Sequence, residues 1–117
     1  MSVAQAKIWA GNLTVAGMAR KIHAMEIWIA ELNETAVAWG AIHRDRLEGL
    51  YTAPEFAGHG IGTELLLMLE GLLRERDIPA VSAQASANAE AFYLRRGYTT
   101  VGPRTPQGAQ PITKRLS

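Results

Sequence analysis

The pattern of apolar and polar residues along this chain predicts short strands followed by one well-marked helix. Apolar and alternating runs predict strands over Glu26–Glu31, Ala36–Ile42 and Arg46–Thr52. A turn at 33–34 joins the first two strands into a hairpin, and the third strand continues the meander. Leucines then recur at helical spacing over Thr63–Arg76, and basic residues followed by a proline mark the end of this helix.

Weaker patterns elsewhere complete the prediction, whereas residues 1–12 show no clear element. The further predicted elements are a helix over 13–25, a strand over Ala80–Ala85, a short helix ending before Gly97, a strand beginning at Thr99–Gly102 and an edge strand over Ile112–Leu116. Strands that alternate with helices predict an α/β (α+β) fold. We expect a mixed, largely antiparallel central sheet flanked by helices.

Length and composition narrow the class of protein. At 117 residues the chain is expected to form a single domain spanning 1–117, and a net charge of +1 gives no electrostatic case for nucleic acid or a membrane. The absence of cysteine excludes disulfides and a thiol nucleophile, and three widely spaced histidines make a metal site unexpected. No apolar run reaches transmembrane length and the N-terminus lacks a signal-peptide core, so a soluble cytoplasmic protein is expected.

The most informative segment is a strand-to-helix junction with three alternating glycines, Gly58, Gly60 and Gly62. Glycine permits positive φ and close approach of the backbone to a ligand, and the following helix adds partial positive charge. Such a junction offers N–H groups to a pyrophosphate. The sixth position of a Rossmann fingerprint is Thr63 here, and no lysine precedes that threonine as a P-loop requires. A loop that uses its glycines only for turning stays open at this point.

This junction resembles motif A of the GNAT superfamily, the acyl-CoA-dependent N-acetyltransferases. The family pattern is commonly Leu-Tyr-Val-x-Pro-x-x-Arg-Gly-x-Gly-Ile-Gly. The chain matches it at Leu50, Tyr51, Pro54, Gly58, Gly60, Ile61 and Gly62. It departs at Thr52, where valine is usual, and at Ala57, where the family usually has arginine or glutamine. The departure at Ala57 affects one side-chain contact to the cofactor. The backbone contacts do not depend on the side chain at this position.

A second resemblance follows in the expected order, to the family's motif B, which contains an asparagine, an alanine, a Phe-Tyr pair and a glycine. The matching residues are Asn88, Ala91, Phe92, Tyr93 and Gly97, with Tyr98 where phenylalanine is usual. From the residues alone, Ser86 and Asn88 are expected N-caps of a short helix, and Gly97 is its expected C′ residue. Two motifs in order are more specific than one, and the resemblance covers roughly residues 26–102.

The resemblance implies direct transfer, in which an amine attacks the thioester carbonyl of acetyl-CoA and the CoA thiolate leaves. Tyr93 is then the implied general acid, a role open to a phenol with a pKa of about 10, although it could instead be a packing residue. Asn88 would bind the pantetheine or pyrophosphate arm. Main-chain groups of Leu50 and Thr52 would pair with the pantetheine amides on a splayed strand. The implied contacts of the loop are Ala57, Gly58, His59, Gly60, Ile61, Gly62 and Thr63.

The general base is less well defined by the sequence. Glu48 precedes Leu50 by two residues on a predicted strand, so it is expected on the same face and could remove a proton through a water molecule. A surface glutamate without a role is the other interpretation, and His43 is a second candidate base. Arg95 and Arg96 lie near the end of the motif B helix, where either could reach a CoA phosphate or only favour the helix C-terminus.

The start of the chain is the largest departure from the family, which usually begins with another strand and helix. Residues 1–12 look too short to supply both, so a GNAT-like fold lacking the first strand and helix is expected. A second chain could then cover an exposed edge as a homodimer, with Trp9, Trp28 and Trp39 as candidate contacts. The leading interpretation is an enzyme that acetylates a primary amine of a small molecule or peptide with acetyl-CoA. The alternative is a non-catalytic acyl-CoA-binding or protein-interaction module.

Overall fold

A computed structural model of the protein describes residues 7–10, 25–32 and 35–117. These residues form a sheet of seven strands: β1 (Lys7–Ala10), β2 (Glu26–Leu32), β3 (Thr35–His43), β4 (Arg46–Thr52), β5 (Ala80–Ala85), β6 (Thr99–Thr100) and β7 (Gln110–Arg115). The helical segments within the same residues are a 3-10 turn (Pro54–Phe56), α1 (Ile61–Glu75) and α2 (Glu90–Leu94). The predicted helix over 13–25, apart from its last residue, and the turn at 33–34 lie outside the described residues.

The strand order across the sheet is β1-β2-β3-β4-β5-β7-β6. Every neighbouring pair is antiparallel except β4 and β5, which run parallel and are connected through α1. The mixed, largely antiparallel sheet and the β2–β3–β4 meander are therefore confirmed. The parallel pair needs a crossover connection, which α1 supplies.

The expectation that the first strand is missing is wrong. Lys7–Ala10 forms β1 and pairs antiparallel with β2, with Ile8 opposite Ala30. Four residues are too few to show a strand period, and this strand is defined by its partner rather than by its own sequence. The first strand is therefore present as β1, which lies beside β2 in the sheet.

The prediction of Ile112–Leu116 as an edge strand is also wrong. β7 lies between β5 and β6, and the two-residue strand β6 occupies the edge of the sheet. Thr99 of β6 faces Thr113 of β7, although the long loop between them is not a hairpin turn that a sequence pattern would reveal. The edge is consequently very short, which is one way in which proteins avoid edge-to-edge pairing.

The N-caps predicted for α2 are wrong, whereas its C-terminal glycine is confirmed. Ala89 is the N-cap residue and no side chain caps the helix; instead the Ser86 carbonyl accepts the N–H groups of Ala89 and Glu90 at 3.0 Å each. Asn88 lies exposed in the preceding turn. Gly97 has a φ of 93°, the left-handed conformation expected of a C′ residue.

The core lies between the sheet and one face of α1. Leu65, Leu69 and Leu73 of this helix are each at most 1% exposed, as their helical spacing predicts. A β-carbon on Gly40 of β3 would lie 2.6 Å from Leu69 Cδ1, so this glycine allows the helix to approach the sheet closely. Close packing of α1 on β3 and β4 fixes the position of its N-terminus, where the glycine loop ends.

The tryptophans proposed for a contact between chains have different environments. Trp28 packs against the core and donates from Nε1 to Glu26, whereas Trp39 is 40% exposed and stacks on Tyr51. The side chain of Trp9 lies outside the described residues. Among the helices that the structure describes, none is long and apolar enough to cross a membrane. The same residues hold no cluster of three or more His, Asp or Glu side chains that could bind a metal.

Candidate functional site

The glycine loop turns the chain from β4 into α1 through the 3-10 turn. Gly58 and Gly60 have φ values of 82° and 81°, a conformation that strains any residue with a β-carbon. Gly60 is the N-cap of α1, which begins at Ile61, two residues earlier than predicted. The helix therefore begins directly at the last turn of the loop, and its N-terminus is part of the loop surface.

The N–H groups of residues 58–63 donate to no acceptor within the described residues. The first bond of the helix runs from Glu64 N–H to the Gly60 carbonyl at 3.1 Å, so the earlier N–H groups are left for solvent or a ligand. They lie at the positive end of the α1 dipole. This arrangement is an anion site of the kind that binds phosphates at helix N-termini.

A cavity of about 480 Å³ opens against these N–H groups. Its lining residues are Thr52, Phe56, Ala57, Gly58, Gly60, Ile61, Gly62, Thr63, Phe92 and Arg96. A β-carbon on Gly62 would lie 3.1 Å from Thr52 Oγ1 and 3.8 Å from Phe92 Cζ, so the third glycine keeps this wall free of a side chain. The structure thus brings most of the predicted loop contacts to one cavity, together with residues of motif B.

β4 and β5 separate on the way to this cavity. They are paired at Arg46 and Ser82 alone, where Ser82 N–H also donates to Asp45 at 3.0 Å. Ala53 N–H bonds to Val37 of β3 at 2.8 Å. Because main-chain groups alternate in direction along an antiparallel strand, those of Leu50 and Thr52 point away from β3, into the gap.

Tyr93 is not among the residues that line the cavity, and it is almost buried, at 7% exposure. It meets the rings of Phe92 and Tyr98 edge to face, each at 5.3 Å between centroids. Burial raises the pKa of Tyr93 to about 12. Its hydroxyl bonds to none of the described residues, and no fully buried polar side-chain atom among them lacks a partner, so the phenol oxygen reaches solvent.

The remaining predicted residues lie outside the cavity lining. His59 is exposed at the tip of the loop, and Asn88 is exposed before α2. Glu48 is exposed at a bulge of β4, where the register with β3 shifts, and its carboxylate pairs with Arg46 at 3.3 Å. This bulge interrupts the strict alternation on which the shared face of Glu48 and Leu50 was predicted.

The sequence does not distinguish Arg95 from Arg96 as the arginine that could reach a phosphate, and the structure does. Arg96 lines the cavity, whereas Arg95 is exposed and is not among the lining residues. Phe56 of the 3-10 turn also lines the cavity and was not singled out. The sequence feature that could have indicated Phe56 is its position as a large apolar residue in a loop of mostly small and polar residues.

Comparison with protein families now identifies this arrangement. The family model described as the acetyltransferase (GNAT) domain matches residues 2–110, so the chain belongs to the GNAT acetyltransferase family. The loop, cavity and splayed strands are thus features of a member of that family. A comparison with functionally curated proteins finds no match.

Solved structures agree with this assignment. A GCN5-related N-acetyltransferase from Rhodopseudomonas palustris is 27% identical, with a TM-score of 0.78 over 86% of this chain and 67% of that one. A GNAT-family acetyltransferase from Staphylococcus aureus Mu50 matches 96% of this chain and 99% of its own, at 13% identity and a TM-score of 0.79. The PaiA N-acetyltransferase of Thermoplasma acidophilum, solved with coenzyme A, is 19% identical over 84% and 69%, with a TM-score of 0.71. The second and third similarities establish the shared fold.

Proposed function

We propose that this protein is an N-acetyltransferase that transfers the acetyl group of acetyl-CoA directly to a primary amine. The observation that carries the proposal is the row of unpartnered N–H groups at residues 58–63, which faces a cavity of about 480 Å³. A pyrophosphate is the ligand group that this positive, donor-rich surface fits best. The membership of the chain in the GNAT family supports the same assignment.

The gap between β4 and β5 supplies the second part of the binding site. Main-chain groups of Leu50 and Thr52 point into it, so they can pair with the amides of a pantetheine arm as a neighbouring strand would. A pantetheine arm bound in this gap would lie between the glycine loop and the Arg46–Ser82 pair, where β4 and β5 are still joined. One of these N–H groups would also polarise the thioester carbonyl, a contribution of the oxyanion-hole type.

Tyr93 is the proposed general acid. A pKa of about 12 keeps its phenol protonated at neutral pH, and its hydroxyl has no competing acceptor among the described residues. It can therefore donate its proton to the thiolate that leaves after the amine attacks. Glu48 is the proposed general base for the ammonium proton, acting through water; His59 and Asn88 are proposed contacts to the CoA arm.

The first test is a calorimetric titration with CoA and acetyl-CoA, followed by release of free thiol in the presence of an amine panel. The chain contains no cysteine, so the thiol assay has no background from the protein. The panel includes a polyamine, an aminoglycoside and peptides with free amino groups. Acetyl-CoA binding with amine-dependent thiol release is expected. Binding without release for any amine would favour the non-catalytic module.

Tyr93→Phe is the decisive variant. Loss of the proton donor should lower kcat about a hundredfold or more and leave CoA affinity unchanged. Tyr98→Phe is the matched control, because its hydroxyl is taken up by Glu70 and is expected to affect stability rather than turnover. In the same assay Glu48→Gln should lower kcat/KM mainly at the acidic end of the pH profile. Full turnover by Tyr93→Phe would remove Tyr93 from the mechanism.

A further inference from the structure

We infer that Arg96 provides the charged side-chain contact to the pyrophosphate that the glycine loop binds, in place of the side chain missing at Ala57. This inference rests on the proposed function, because the pyrophosphate is that of CoA. The loop position that would otherwise supply such a contact is Ala57, whose side chain is a single methyl group. Arg96 reaches the same cavity from the end of the neighbouring helix.

Arg96 is held firmly at the cavity wall. Its Nε and Nη2 donate to Thr63 Oγ1 at 2.9 and 2.6 Å, and its Nη1 donates to the Phe92 carbonyl at 2.7 Å. The guanidinium carbon lies 3.7 Å from the centroid of the Phe92 ring. A guanidinium has five N–H donors, so these three bonds leave two for a ligand. The group is thus oriented before any ligand arrives.

The charge of Arg96 has no counterion among the described residues. The ion pairs that the structure records there involve Arg46, Arg76, Arg104 and Lys114. Within the described lining of the cavity, Arg96 is the sole charged residue. A fixed cation beside the positive end of α1 is unfavourable unless an anion neutralises both. The positive potential of the cavity therefore favours the binding of a multiply charged anion.

The anchoring on Thr63 also selects which phosphate Arg96 meets. Thr63 is the third residue of α1, and its own N–H is one of the unpartnered donors. A phosphate group that accepts from these N–H groups lies within reach of a guanidinium bonded to the Thr63 hydroxyl. Arg96 accordingly contacts the pyrophosphate and not the 3′-phosphate of CoA. An arginine fork suits two adjacent phosphate oxygens.

The test compares Arg96→Gln with Arg95→Gln, a neighbouring variant with the same loss of charge on an exposed side chain. Calorimetry measures the Kd for CoA, dephospho-CoA and inorganic pyrophosphate. Loss of a charge-assisted contact should weaken all three ligands about tenfold to a hundredfold in Arg96→Gln, and much less in Arg95→Gln. Equal affinities of the two variants would overturn the inference. A loss confined to CoA, absent with dephospho-CoA, would also overturn it.

Two further variants separate charge from packing. Arg96→Lys keeps the positive charge and should lose less affinity than Arg96→Gln, and it serves as the test if the glutamine variant fails to fold. A loss in Arg96→Lys as large as in Arg96→Gln would show that packing on Phe92 matters and not the charge. Ala57→Arg combined with Arg96→Gln should recover part of the lost affinity, because residue 57 lines the same cavity. If the double variant recovered none of the lost affinity, Arg96 would not be replacing the side chain that is missing at position 57.

The wild-type protein distinguishes this inference from the proposed function. Pyrophosphate binding that depends on Arg96, without any binding of CoA, would reject the acetyltransferase proposal and support the role of Arg96 in pyrophosphate binding. Binding of CoA with normal affinity by Arg96→Gln would reject the role of Arg96 and leave the proposed function standing. Binding of neither ligand would reject both.

Discussion

Tyr93 combines a packing role with the role of proton donor proposed for it. Its ring is enclosed by Phe92 and Tyr98, and this burial raises the pKa of its phenol to about 12. Burial disfavours the phenolate because the charged form loses its hydration. The same contacts that make Tyr93 a core residue therefore keep its phenol protonated over the whole physiological range of pH.

This raised pKa predicts an alkaline loss of stability that depends on Tyr93. The folded state holds the proton more tightly than the unfolded state, whose tyrosine titrates near 10. The stabilising contribution is complete below pH 10 and is lost as the pH rises through about 12. Between pH 8 and pH 11 the free energy of unfolding of the wild type should fall by about 1 kcal/mol more than that of Tyr93→Phe.

Urea unfolding of both proteins at pH 8, 10 and 11 measures this difference. Groups that do not contact Tyr93 are common to both proteins, so their contributions cancel in the comparison. Identical pH dependence of the two unfolding free energies would show that Tyr93 ionises as freely in the folded state as in the unfolded state.

At the residue scale, local chemistry was predictable and long-range contacts were not. Gly58 and Gly60 could be predicted because positive φ is a property of the residue itself, and both adopt it. Arg96 could not be chosen over Arg95, because its partner Thr63 lies 33 residues away in the sequence. Only the fold decides which of two adjacent arginines faces α1.

Among the elements, α1 ends in an arrangement that usually contains glycine. Ile78 N–H bonds to the Leu73 carbonyl and Asp77 N–H to the Arg74 carbonyl, each at 3.0 Å, which is the Schellman motif. Asp77 occupies the C′ position with a φ of 60°. An aspartate tolerates this conformation better than most residues, but its β-carbon still carries a steric cost.

Asp77→Gly should therefore stabilise the protein by about 0.5–1 kcal/mol, since relief of the left-handed strain exceeds the entropy that glycine adds to the unfolded chain. Thermal or urea unfolding at neutral pH measures the gain. Asp77→Ala is the control, because it removes the carboxylate and keeps the β-carbon. A gain of the same size in Asp77→Ala would assign the effect to the charge and not to φ.

Elements with a long period were easier to predict than short ones. The leucine stripe of α1 extends over four turns and gave its position to within two residues at the start. β1, with four residues, and β6, with two, have no period of their own, and their strand conformation depends on β2 and β7. The position of β7 inside the sheet likewise follows from its neighbours.

For the whole molecule, the decisive feature is the gap between β4 and β5. Its existence depends on strands that are separated in sequence by α1 and pair at one residue, Arg46 with Ser82. No local pattern in either strand encodes where parallel pairing stops. The mixed sheet and the splay could be anticipated through the resemblance to a family, whereas the register and the residues lining the cavity required the structure.

A buried polar network connects three distant parts of the chain beneath this site. Glu70 of α1, 1% exposed, accepts from the Tyr98 hydroxyl at 2.8 Å and from Lys114 Nζ of β7 at 2.9 Å. Burial and this bond to Glu70 raise the pKa of Tyr98. A tyrosine at the last position of motif B thus has a partner that phenylalanine would not need. The network holds the segment that follows α2, and with it Arg96 and α2 itself, against α1.

The network predicts an asymmetric response to mutation. Lys114→Met leaves the buried Glu70 carboxylate without its cation and should destabilise the protein by about 3 kcal/mol or more. Adding Glu70→Gln removes the uncompensated charge and keeps an acceptor for the Tyr98 hydroxyl. The double variant should therefore be more stable than Lys114→Met alone, and urea unfolding at pH 7 measures the two single variants and the double variant. A double variant as unstable as the two single losses added together would mean that Glu70 and Lys114 are energetically independent, and that packing alone joins β7 to α1.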